Sequence, residues 1–186
     1  MDLVELIRTR RSIGKFTAAP VSLDLVQELL ATAVYAPNHR LTEPWRFVLL
    51  AGRAREQYAA IRRDMVLEFM KGQGDSERQQ AAEGTFSKFM NVPVYLLVVM
   101  RVHGIAEIDD EDYAACCCLI QNFLLLAWDR GLGTTWKTFK NDPRMRALAG
   151  LAADERVVGV VHIGYSAEEE RPGQRKPAGE RITLLT

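Results

Sequence analysis

Residues 113–138 read YAACCCLIQNFLLLAWDRGLGTTWKT, and this stretch decides how the rest of the chain is arranged. From about 110 to 130 the pattern is one long helix, almost wholly apolar after Tyr113. A helix that is apolar all round has to be covered on every side, by this chain or by a partner subunit. Gly131 suits the left-handed residue that ends such a helix, and 133–138 then reads as a short strand or tight loop. The cysteines Cys116, Cys117 and Cys118 are consecutive. Neighbouring helical side chains diverge, so these thiols build no disulfide framework and have no zinc spacing. They read as small hydrophobes.

Working outward, 94–100 and 157–165 are β-rich apolar runs of the kind buried on both faces. A further strand, 46–51, is bounded by Gly52. Helical patterns cover 2–9 with Asp2 as N-cap, a segment opened by Ser22 that stops before Pro37, and 53–71. An amphipathic piece follows around Phe86, Phe89 and Met90, and a short helix, 142–150, is opened by Asp142-Pro143. The tail after Ala167 is charged, and its closing ITLLT reads as a last strand. Strands and helices do not alternate regularly. The pattern predicts one α+β domain over 1–186 rather than a doubly wound sheet.

The 186 residues include 24 basic and 24 acidic side chains, so no bulk field draws the chain to nucleic acid or an acidic membrane. The most apolar run, 92–102, is too short to span a bilayer, and MDLVELIRTRRS has no secretory pattern. The expected setting is a reducing cytoplasm.

Four constellations can carry chemistry. Arg10, Arg11 and Ser12, with Lys15 nearby, are costly to hold together unless an anion sits between them; the alternative is a solvated basic turn. The loop Pro37-Asn38-His39-Arg40-Leu41-Thr42-Glu43-Pro44-Trp45 is stiffened by two prolines at the mouth of a strand. His39 and Glu43 lack a third ligand in register, which argues against zinc. Gly131-Leu132-Gly133-Thr134-Thr135-Trp136-Lys137-Thr138 lacks both a Walker A pattern and a full dinucleotide fingerprint; Lys137 there can face an anion. Arg175 and Lys176 matter only if a phosphate lies elsewhere for them to meet. His162 reads as a hydrogen-bonded interior or sheet-edge residue.

In sequence order, RTRRSIGKF, APNHRLTEPWRF, the long apolar helix running into GLGTTWKT, VVGVVHIGY and the RKP tail resemble the FMN-dependent nitroreductase family. The likeness is to its short, minimal members and covers nearly the whole chain. It implies a three-layer sandwich with a mostly antiparallel central sheet flanked by helices, in an intimate homodimer with FMN at the interface. By this resemblance Arg10, Arg11 and Ser12 hold the phosphate, ribityl chain and pyrimidine edge, with Arg175 also at the phosphate. His39 and Glu43 reach the flavin bound mainly by the other subunit, and Trp136, Lys137 and Thr138 line the isoalloxazine.

The implied activity moves a hydride from NAD(P)H through FMN to small electron-poor acceptors such as nitroaromatics or quinones, by a ping-pong mechanism without a side-chain nucleophile. The segment 66–92, with Phe69, Met70, Phe86, Phe89 and Met90 around a polar break, is expected to form a lid over the flavin. Two positions depart from the pattern: Gly14 stands where relatives often carry a basic residue, and Glu43 where glutamine is usual. The competing expectations are another flavin reaction on the same fold (reductive dehalogenation or oxidation), a non-catalytic flavin sensor, and a cysteine-based redox protein.

Overall fold

Strand β2 (Val94–Arg101) is the middle of the molecule, and Val94 to Met100 are all buried. Its alternate residues feed two different cores, as a pleated strand buried on both sides must. The computed structural model describes residues 2–169 and 173–185. β2 pairs antiparallel with β1 (Trp45–Leu50) and with β4 (Glu155–Gly164), and β4 pairs antiparallel with β3 (Gly133–Lys137). The strand order is β1-β2-β4-β3.

On one face, Val94, Leu96, Val98 and Met100 pack with α2 (Leu23–Ala33) and α5 (Ala106–Asp129). On the other, Tyr95, Leu97 and Val99 meet Tyr58 of α3 (Gly52–Phe69) and Met145 of α6 (Pro143–Leu148). α4 (Asp75–Met90) folds back on α3 as a helical hairpin and adds Phe89 to the same layer. The helix–sheet–helix sandwich follows. Helix α1 (Leu3–Thr9) lies outside it, with Leu6 and Ile13 against Trp128 of α5.

Local signals act as their chemistry dictates. The Asp2, Ser22 and Asp142 side chains accept the backbone N–H groups of Glu5, Leu25 and Arg144, capping α1, α2 and α6. At the end of α5, Gly131 has φ +73°, the Leu132 N–H reaches the Ala127 carbonyl, and the Gly131 N–H reaches that of Trp128. These two bonds make the closing turn that glycine permits.

Two expectations are corrected. Helix α5 begins at Ala106, four residues before Asp110, because Asp109 takes the His103 and Gly104 N–H groups and folds the preceding loop onto the helix. ITLLT forms no strand over 182–185: Ile182 is extended, but it has no ladder partner among the described residues, and Ile182, Leu184 and Leu185 are exposed. Thr186 is outside the described residues.

Candidate functional site

The basic loop is clamped to one end of the sheet. The Ile13 N–H donates to the Thr134 carbonyl at 2.9 Å, and the Thr135 hydroxyl donates to the Ile13 carbonyl. Phe16 bridges Ser166, and the Ala167 N–H meets the Lys15 carbonyl at 3.0 Å. Gly133 and Gly164 allow this approach, since a β-carbon on either would run into Ile13 or into Phe16 and Pro93. Gly133 therefore makes room for packing, not for a ligand.

The three arginines expected at a phosphate lie together. Arg10 is half-buried, and its pKa is lowered first by that burial and then by the charges of Arg11 and Arg175. The Arg11 guanidinium fills the space beside Gly173 in the returning tail. Like charges gathered this way are costly in a partly desolvated place, and a bound phosphate offsets that cost. Ser12 is bridged to Thr134 beside them. On the far side of the loop, the Glu168 carboxylate accepts the Gly14 and Lys15 N–H groups at 2.6 and 3.3 Å.

Two cavities continue from this loop along the α3/α4 face. One, of about 650 Å³, includes Gly14, Lys15 and Lys88 in its wall. Lys88 thus supplies a positive charge beside the position where Gly14 has none. The second, of about 330 Å³, is lined by Lys88 again, by Lys137 and Thr138, and by His162. His162 sits in β4, an interior strand, so it is no sheet-edge residue. Its ring meets Tyr95 and Phe89 edge-on, and burial, aided by Lys137, Arg62 and Lys88, pushes its pKa down to about 4. Trp136 and Lys137 point to opposite faces: Trp136 is level with Val161 and packs on the α2/α5 core, whereas Lys137 is level with Val160.

His39 and Glu43 are not brought to this place. Trp45 pairs with Met100 at one end of β2, while Val94 at the other end pairs with Ile163 beside the basic loop. Six residues of strand, about 20 Å, separate the two ends. The 39–43 loop is held in an unusual shape, with Arg40, Leu41 and Glu43 at φ +55°, +53° and +44°. Side chains over-determine it. His39 Nδ1 is 2.6 Å from Glu111 Oε2, the Thr42 hydroxyl donates to Asp112 Oδ1 at 3.0 Å, and the Glu43 N–H donates to Asn38 at 3.1 Å. Asp112 is buried, and its other oxygen faces His103 Nε2 at 3.4 Å.

Sequence reading missed Lys88, Arg62 and Lys140, and the anchors Glu111 and Asp112. A lone lysine on a helix reads as solvated, and only the folding back of α4 gives it a place. Asp112 had a local signal, an acid directly ahead of Tyr113 and the apolar run that follows it. The thiols sit as their spacing implies: Cys116 is buried, Cys118 is exposed, and burial pushes the Cys116 pKa up to about 12.

An antiparallel sheet clad with helices on both faces, with a cationic cleft opening at one end, is the architecture of the nitroreductase-like α+β sandwiches. The chain belongs to the nitroreductase family, whose model matches residues 7–165. It is 37% identical to YfhC of Bacillus subtilis, which carries an NAD(P)H nitroreductase name, over 98% of this chain and 94% of that one. The solved structure of a nitroreductase-like family protein from Bacillus cereus superposes with a TM-score of 0.84, at 33% identity, over 100% and 96% of the two chains. NfnB of a Sphigopyxis strain, described as an FMN- and NADPH-dependent nitroreductase, shares the fold with a TM-score of 0.77, at 19% identity and full coverage of both chains.

Proposed function

We propose that the chain is a homodimeric, FMN-dependent reductase that uses NAD(P)H to reduce small electron-poor acceptors such as nitroaromatics or quinones. The observation that carries this reading is the gathering of Arg10, Arg11 and Arg175 beside a loop clamped to β3 at Thr134 and Thr135, the strand that leads into Lys137 and Thr138. The gathered positive charge fits a phosphate, and β3 leads from it to residues suited to bordering a ring. When bound, FMN supplies hydride transfer between the nicotinamide and the acceptor, in alternating half-reactions at one place.

The protein's own groups bind and polarise. Arg10, Arg11 and Arg175 take the phosphate, and Ser12 adds a neutral donor. Lys137 and Thr138 border the ring, with Trp136 contributing main chain because its indole is committed to the core. Lys88 and Lys137 favour negative charge on the pyrimidine side, as cations held beside developing charge do. His39 and Glu43, toward the opposite end of β2 in the same chain, serve the site of the second copy, which is the support for the dimer. Phe89 packs inward with Tyr58 and Tyr95, so the cover expected over 66–92 reduces to the hairpin tip near the exposed Phe69.

The visible spectrum of the purified protein tests the reading. Flavin bands near one per chain are expected, and protein that stays colourless after incubation with FMN defeats it.

A further inference from the structure

Leu41 lies in the middle of the 39–43 loop, 80% exposed, with its backbone in the left-handed region at φ +53°. It packs against none of the apolar clusters among the described residues. An exposed leucine alone carries little, and it is the strained backbone under it that needs a reason. Left-handed backbone crowds a β-carbon, so for the loop alone glycine or asparagine suits this position better than leucine. The side chain thus brings the protomer strain and an apolar group in water, with no share in the core to offset either.

The surrounding bonds keep that shape. The Asn38 amide holds both ends of the loop: its oxygen accepts the Glu43 N–H, and its nitrogen donates to the Ala36 carbonyl at 3.3 Å. The Thr42 N–H meets the His39 carbonyl at 3.3 Å. The Thr42 and His39 side chains are tied to Asp112 and Glu111 of α5. Strain held in place by so many partners points to a function at the residue it presents. His39 and Glu43, on either side of Leu41, are the residues that the proposed dimer gives to the second copy's flavin.

We infer that Leu41 determines which acceptors are reduced: its side chain overhangs the open face of the second copy's flavin and limits the size of the ring system that lies there. The role rests on the proposed reductase and its dimer. Leucine has neither charge nor hydrogen-bonding group, so the selection is by shape. A fixed apolar edge admits one flat ring and rejects, by overlap, a second ring fused to it. Stiffness is what makes the edge selective, since a loop free to move would give way.

Steady-state turnover of the FMN-loaded protein with benzoquinone and with naphthoquinone tests it, read as the ratio of the two kcat/KM values. That ratio does not depend on flavin occupancy or on the shared nicotinamide half-reaction, and comparison with the parent cancels the intrinsic difference between the quinones. In Leu41→Gly the ratio should move about tenfold toward the two-ring quinone, and in Leu41→Trp it should move the other way. Leu41→Gly should melt no lower than the parent, because glycine relieves the left-handed backbone, so the shift is one of fit and not of a damaged fold. A ratio unchanged in both variants overturns the inference, and if the same variants weaken the dimer in sedimentation, Leu41 is a packing contact between copies instead. Parent protein that holds FMN yet reduces neither quinone removes the reductase reading, and the role of Leu41 with it.

Discussion

The indole of Trp136 lies over Gly159, in the space a β-carbon on that glycine would need. Trp136 is level with Val161, and Gly159 is the next residue of β4 on that same face, so the contact runs diagonally across the two strands and fixes which side of the sheet receives the indole and which receives Lys137. Gly159→Ala is therefore expected to cost about 1–3 kcal/mol, the usual penalty of overpacking. Urea unfolding checks this. Combining it with Trp136→Leu should recover part of the loss, because the two sites are in direct contact.

The phosphate end of the cleft gives a binding prediction. Arg10→Ala removes one charge-assisted partner worth about 1.5–3 kcal/mol, so FMN affinity should fall roughly ten- to a hundredfold. Flavin fluorescence on titration into apoprotein measures it. Unchanged affinity would place the phosphate elsewhere.

His162 predicts an acid-sensitive fold. Its pKa is about 4 in the folded protein against 6.5 for the free side chain, so the unfolded chain binds the extra proton between those values. Its contribution is complete above pH 6.5, shrinks as pH falls, and is gone below about pH 4. The shift corresponds to roughly 3 kcal/mol at most. In His162→Phe, the slope of stability against pH between 6.5 and 4 should flatten.

The loop that carries His39 depends on Asp112. Thr42→Val leaves that buried carboxylate with only His103 facing it, at a cost of roughly 1–3 kcal/mol. Faster proteolysis within 38–44 in the variant, compared with the parent, would report the loosened loop.

Much of this fold is legible in the sequence because its signals are local. Ser22 and Asp142-Pro143 open helices, Gly131 closes one, and the run in β2 declares a strand buried on both sides. The start of α5 is hidden because Ile105 is no N-cap and the acid that fixes the preceding loop, Asp109, lies inside the helix. The basic loop and its tail arginine are readable as motifs, since adjacent cations stand out. The ring of Arg62, Lys88 and Lys140 is not: each reads singly as a solvated charge, and only the docking of the α3–α4 hairpin brings them together. The face chosen by Trp136 needs the register of β3 against β4, which no local pattern contains.

Placing Arg10 and His39 toward opposite ends of the sheet in one protomer has a genetic reading. In the proposed pair of chains, each catalytic unit borrows one edge from either molecule, so damage at the two edges is shared out unequally. A mixture of Arg10→Ala and His39→Ala chains should contain hybrids in which one unit carries both lesions and the other carries none. At limiting FMN, two impaired parents would then yield intact units on mixing, at up to about a quarter of the normal complement if chains pair at random.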